Sequence, residues 1–271
     1  MRTGQRPSRN RIRWRPVPSL ANQGISMRSR ILTAALVASA MAGSAAAAES
    51  DNTGVYIGLG VGLATLQSTD IGYYDAGGTF GGSGATDRAD GSLRFKSAAE
   101  FSGLIGYDFG PIRADLQLSY ARNKVKSLDI VSINGAPVTL DPADIADVCD
   151  YLEADGCSAS GNSITFDGGR LRRLSALASA WVDFPTGSVV TPYVGGGLGI
   201  SGFEIDGEGK GRFAWQLGAG AAFAVSKTVA VTLDYRYRSA NGANIAYDAT
   251  SGFDVGRLRS HSFATGLRFT F

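Results

Sequence analysis

His261 is the only histidine of the 271-residue chain, so any hydrolytic or proton-transfer chemistry that needs an imidazole must use it. A nucleophilic centre would set that ring beside a hydroxyl and a carboxylate. Ser262 is adjacent in sequence, but on a strand neighbouring residues point to opposite faces. Asp248 and Asp254 could approach only from the preceding connection, and no spacing places them there. Cys149 and Cys157 are the only cysteines. Two thiols with no nearby histidine are poor metal ligands, and in an exported chain they read as a disulfide closing a small loop. Around them stand Asp141, Asp144, Asp147, Asp150, Glu153 and Asp155. Their spacing of three allows several to share one face of a short helix, but the EF-hand arrangement is absent, so the expectation is a solvated acidic loop with no metal. Gly197-Leu-Gly199-Ile-Ser-Gly202 formally matches a dinucleotide fingerprint. No helix follows it, and these glycines are expected on the inward face of a strand. The reading is of no enzyme and no cofactor.

The amino terminus sets the compartment. Residues 1–26 carry six arginines and three prolines without apolar periodicity, and read as an upstream mis-start or a disordered leader. At Met27 a basic start (Arg28, Arg30), an apolar centre from Ile31 to Ala42 and small residues up to Ala48 form a secretory signal peptide over 27–48. Eight of the 26 basic residues precede Glu49 and none of the 24 acidic residues does. That leaves 18 against 24, a net of −6 over residues 49–271, and no basic field for nucleic acid.

Residues 49–271 contain no apolar run long enough for a membrane helix. They contain instead eight segments that alternate with a period of two: Gly54 to Leu66, about Lys96 to Phe109, Ile112 to about Lys126, about Arg170 to Phe184, Pro192 to Gly202, Arg212 to Val225, Val229 to Arg238, and Phe263 to Phe271. Bulky residues fill one face and Gly, Ser or charge the other. The parity of the fourth is the least clear, because Leu177 and Trp181 fall on its polar side. Connections after the even-numbered segments are short, and those after the first, third, fifth and seventh are long (about 67–95, 127–169, 203–211 and 239–258). This predicts an all-β fold, an eight-stranded antiparallel up-and-down transmembrane β-barrel with four extracellular loops. Glu100, Arg113, Asp115, Asp183, Asp234, Arg236, Arg238 and Arg268 fall on the face expected to line the lumen. Eight strands enclose a space that side chains just fill, so these charges are expected to pair or to contact water, as a structural salt-bridge network plugging the lumen. The sharper alternative is a narrow, gated ion path.

The final strand places a polar residue, glycine and two aromatics at Thr265, Gly266, Phe269 and Phe271. It resembles the carboxy-terminal signal of bacterial outer-membrane barrels, and the resemblance implies recognition by the outer-membrane assembly machinery. The whole of 49–271 is similar to the small barrels related to the transmembrane domain of outer membrane protein A and to opacity-type surface antigens, with Tyr235-Arg236-Tyr237-Arg238 resembling their penultimate strand. The chain stops at Phe271, so a peptidoglycan-binding domain and cell-wall tether are not expected. The resemblance implies the outer membrane of a Gram-negative bacterium, contact with outer-membrane lipid and lipopolysaccharide, and a structural or surface-interaction role with a host or surface ligand at the loops. A narrow porin is the alternative. A barrel hydrolase centred on His261, by analogy with lipid A deacylases and surface proteases, is the third reading.

Overall fold

The computed structural model describes residues 53–76, 86–151, 155–167, 169–205, 208–246 and 249–271. The leader, the signal peptide and Asp248 lie outside them. In chain order the elements are β1 (Gly54–Leu66), β2 (Thr69–Asp75), β3 (Asp87–Phe95), β4 (Ala98–Asp108), β5 (Ile112–Ile133), β6 (Ala136–Pro137), α1 (Pro142–Tyr151), β7 (Asp155–Ser160) and β8 (Ser163–Asp167). They continue with β9 (Arg170–Asp183), β10 (Val190–Ile205), β11 (Glu208–Ala224), β12 (Val229–Ala240), β13 (Ala243–Ala246), β14 (Ser251–Val255) and β15 (Leu258–Thr270).

Eight of these strands form a closed antiparallel ring in the order β1-β4-β5-β9-β10-β11-β12-β15. The last strand returns to the first, in register from Tyr56↔Thr270 to Leu66↔Ser260, and the Phe271 N–H donates to the Val55 carbonyl at 2.9 Å. Among the described residues no helix is long and apolar enough to cross a membrane. The ring is built to cross one instead. Its outer surface exposes Leu59, Leu63, Phe101, Leu118, Leu174, Leu198, Ile200, Leu217 and Phe263, each more than half accessible. Such a continuous apolar belt is stable only in lipid. Aromatics gather at its two margins, with Tyr107 against Phe109 (4.7 Å between ring centres) at the short-turn end and Trp215 against Tyr237 (5.5 Å) at the other. That is the placement of interfacial girdles.

Between its large polar and aromatic side chains the inward face carries many small residues, because neighbouring strands and the filled lumen leave little space. A Cβ added at Gly62 would lie 2.2 Å from the Phe263 carbonyl oxygen and 2.6 Å from the Ala264 Cα, both backbone atoms of the seam partner. Of the fingerprint-like glycines, Gly197 and Gly199 face inward against β9. Gly202 does not. It pairs with the outward-facing Leu174, because an even residue in this strand must share the face of Ile200.

The long connections differ most from the sequence expectation. They are largely strands, not loops. β5 continues for 22 residues, about twice what a membrane crossing needs. Its outer half pairs with β3, β6 and β8, and β3 leads through β2 and β14 to β13. Seven short strands and α1 therefore build a crown on the long-connection end. Alternation there is weak because neither face is uniformly apolar, which is why these segments read as loops.

The Gly62 contact makes a prediction. Gly62→Val should abolish the heat-modifiable gel mobility of the refolded protein, since no side-chain movement relieves a clash with seam backbone. Gly103→Val, whose new Cβ would meet no atom nearer than 3.7 Å, should refold normally.

Candidate functional site

The lumen is filled in layers. Nearest the short turns, Arg113 makes a two-pronged ion pair with Asp183, Nε to Oδ2 at 2.6 Å and Nη2 to Oδ1 at 2.8 Å. Its guanidinium lies 4.8 Å from the centre of the Tyr193 ring. Arg268 sits in the same layer, 5.8 Å from the Tyr56 ring centre, with no carboxylate in ion-pair reach among the described residues.

One layer up, Asp115 accepts hydrogen bonds from Tyr56 Oη and Trp181 Nε1, both at 3.0 Å, and forms no ion pair. Asp115 and Arg268 thus stand in the lumen without an ion-pair partner among the described residues. Two neutral donors hold Asp115 Oδ2 and an aromatic face lies by Arg268, while Asp115 Oδ1 and Arg268 Nε and Nη1 have no hydrogen-bond partner among the described residues. Arg236 donates to Gln117 and, at 3.1 Å, to Asp234, and stacks 4.9 Å from the Trp181 ring. Tyr193 completes this group by donating to Asp234 at 2.8 Å.

Glu100 dominates the third layer. Its Oε2 accepts from Arg238 Nη1 at 2.7 Å and from Arg173 Nη2 at 3.0 Å. Arg173 also donates to Ser260, and Arg238 to Gln216. All three charged groups are about 95% buried. An interior cavity of about 40 Å³ remains between the layers, lined by Tyr56, Asp115, Arg236 and Arg268 among others. It is large enough for ordered water.

Above the charges the barrel mouth closes with an apolar plug. Leu66, Leu171, Phe203 and Leu258 from the ring meet Leu93, Phe95, Ile245 and Val255 from the crown, all at or below 9% exposure, and the cluster extends down to Leu177 beside Gln117. A second small core, Ile130, Leu140, Val148 and Ile164, lies farther out. There Cys149 of α1 is bonded to Cys157 of β7. Asp141 caps α1, its Oδ1 accepting from the Ala143 and Asp144 N–H groups at 2.8 and 3.0 Å. Two of the loop acids are thus engaged in forming the helix, since the Asp144 carboxylate accepts from the Asp141 N–H at 3.1 Å. Among the described residues no three metal-ligating side chains come together. Elsewhere in the crown, the Asn244 amide and the Arg88 guanidinium hold the Asp254 carboxyl below its ordinary pKa.

His261 points outward beside the apolar belt. Its Nδ1 is 2.8 Å from Tyr235 Oη and its Nε2 is 2.9 Å from Gln67 Nε2. Ser262 is buried on the lumen side, and Asp254 is taken by Arg88 and Asn244. The structure brings neither to the ring.

Arg173, Trp181, Tyr56 and Tyr193 are interior groups that the sequence reading left out of the network. Trp181 and Leu177 were visible as large residues on a polar face. Arg173 was hidden beside Arg172, which points outward. Parity alone, with Ser175 and Ser179 inward, would have found it.

Residues 33–271 match the family described as outer membrane protein beta-barrel domain. An uncharacterized protein of Brucella abortus (strain 2308) is 28% identical over 212 residues, 65% of this chain and 69% of that one. The outer membrane protein PagN of Salmonella typhimurium is 25% identical over 122 residues, 38% of this chain and 51% of that one. The crystal structure of OprG from Pseudomonas aeruginosa is 12% identical, covers 81% of this chain and 98% of its own, and superposes with a TM-score of 0.47.

Glu100→Gln should destabilise the barrel by about 3–5 kcal/mol in urea titrations, because it strips two buried guanidiniums of their shared carboxylate. Arg94→Gln, which removes an exposed partner of Asp129, should cost less than about 1 kcal/mol. Replacing both cysteines by serine should speed proteolysis of the crown between residues 138 and 167 and leave the ring protected.

Proposed function

The chain belongs to the outer membrane protein β-barrel domain family and resides in the cell outer membrane, and from that premise we propose that it is a non-catalytic display protein: a rigid barrel that holds a folded crown outside the cell to contact a host or surface ligand. The short turns face the periplasm, as in barrels of this class, and the crown faces out. Its carboxy-terminal Thr265, Gly266, Phe269 and Phe271 are read by the assembly machinery during insertion.

The observation that carries this reading is the plug. Three layers of mutually bonded polar groups fill the lumen, and a buried apolar cluster shared by ring and crown closes its outer mouth. An ion would have to displace both. A conduit would leave its mouth hydrated, whereas here the same residues anchor the crown to the barrel. Among the described residues the ring nitrogens of His261 meet a tyrosine and a glutamine and no carboxylate, which supports a role at the interface rather than in catalysis.

Folded protein extracted from outer membranes should leave planar bilayers silent, and a non-adherent host strain carrying it should be retained on an epithelial cell layer. The double cysteine-to-serine variant should be retained less. Steady single-channel conductance that changes with Arg236→Gln would reverse the assignment in favour of a narrow channel. Unchanged retention after removal of the crown would sink the display role.

A further inference from the structure

Above the lipid belt the outer surface of β5 and β9 carries an unusual arrangement. Tyr120 and Leu174, directly opposite each other, are the last exposed apolar pair. The next outward rung is Arg122↔Arg172 and the one after it Lys124↔Arg170. All four side chains are exposed on the outside of the barrel. Like charges directly opposite on neighbouring strands destabilise the pairing. Two such rungs stacked in succession are a standing repulsion that the described residues relieve only in part. Among the described residues the one carboxylate in ion-pair distance is Glu204, which takes Arg172 at 2.7 Å. Arg122, Lys124 and Arg170 form no ion pair there. The interior treats the same residue types differently, giving Arg113, Arg173, Arg236 and Arg238 a carboxylate each or in common.

The height of the cluster identifies what relieves it. It stands one rung, roughly 7 Å along the strand, beyond the apolar belt on the crown side. That is the level at which the outer leaflet presents its phosphorylated sugar headgroups. Cross-strand Cβ atoms about 5 Å apart, on rungs about 7 Å apart, let two guanidiniums and an ammonium converge on one phosphate. Arginine suits this task because its planar donors match phosphate oxygens in pairs. Of the crown's acids, Asp144 and Asp147 lie on α1, beyond the rim, and Asp129, farther along β5, is paired with Arg94. The charge of residues 49–271 is negative as a whole, yet among the described residues four cations and a single carboxylate, Glu204, meet at this part of the rim.

We infer that Arg122, Lys124, Arg170 and Arg172 form a binding site for the phosphate groups of outer-leaflet lipopolysaccharide. The site clamps one lipid molecule against the β5–β9 flank, with its acyl chains along Leu116, Leu118 and Leu174. This rests on the location of the protein in the outer membrane and not on the display role, so either stands without the other.

The test compares unfolding temperatures of full-length folded protein in neutral detergent, alone and with bisphosphorylated lipid A, dephosphorylated lipid A or inorganic phosphate. Bisphosphorylated lipid A should raise the midpoint by about 5 °C or more, and 0.5 M salt should erase most of the gain. Dephosphorylated lipid A and inorganic phosphate at equal concentration should leave it nearly unchanged. R122Q/K124Q should lose most of the lipid A response. Without lipid it should melt at or above the wild-type temperature, because a repulsion has been removed. An equal shift from dephosphorylated lipid A would assign the effect to acyl chains and overturn the site. An equal shift from inorganic phosphate would overturn its lipid source. A full response in R122Q/K124Q would place the phosphate elsewhere. Should that variant fail to fold, the wild-type comparison of the two lipids decides alone.

Discussion

Hydrocarbon offers no hydrogen bonds, so each backbone N–H and C=O that crosses it must find a partner in the protein. The β1–β15 seam is where this chain meets that requirement. Its first and last strands pair over eleven residues, from Tyr56↔Thr270 to Leu66↔Ser260. Most other features follow. A closed up-and-down ring of even strand number brings both ends of the ring to the same side, together with the short turns. All four long connections then fall on the other side, where β5 overshoots the membrane and seeds the crown. Closure also sets the inward composition. Eight strands leave a narrow interior, so Gly62, Gly197 and Gly199 lie where strands and inward side chains meet and a methyl would strike backbone or a serine.

The narrow interior in turn dictates its chemistry. Lumen positions on eight strands hold few waters, so most polar groups placed there are bonded by another side chain. The charges answer this with short, specific contacts across the barrel. Glu100 reaches Arg173, which is 73 residues away, and Arg238, which is 138 residues away. Buried pairs of this kind add little net stability over apolar packing, but losing one partner is costly. They therefore penalise a ring closed in the wrong register more than they stabilise the right one. The same logic separates the two fillings. Below, where the outer face must meet lipid, small inward residues and charged contacts leave room for the strands to approach. Above, where the crown covers the mouth, Phe203, Leu171 and Leu258 can bury against β3, β13 and β14.

The ring was legible in the sequence because its two faces meet such different surroundings. Lipid outside and a crowded polar interior force a period of two strong enough to read in β1, β10 or β11 without help. The crown was not legible. Thr69–Asp75 and Asp87–Phe95 have mixed patterns because each face meets water at one residue and a neighbouring strand at the next. Their pairing also depends on distant partners: β2 lies beside β14, and β14 beside β13. The lumen was half legible. Parity placed Glu100, Arg236 and Arg238 inside, but which acid meets which base depends on strand tilt and stagger, which no local pattern records. Arg172 and Arg173 show the limit well. They are adjacent and identical in type, yet one holds a buried glutamate and the other faces the lipid rim.

That pair also shows how the cost of an unpaired charge depends on where it stands. Inside the barrel an arginine without an acceptor costs several kcal/mol, so interior cations are tied to carboxylates, amides or aromatic faces. At the rim water screens the same charge, and leaving it unpaired costs only tenths of a kcal/mol. The interior is consequently committed to one arrangement, and its residues cannot change singly. The rim tolerates an excess of positive charge with little penalty to folding, and so can be shaped by what lies next to it. A barrel whose interior charges are bonded mainly to one another turns two other surfaces outward, the crown above and the rim at the lipid headgroups. The rim is the one whose chemical neighbour is fixed by the membrane itself.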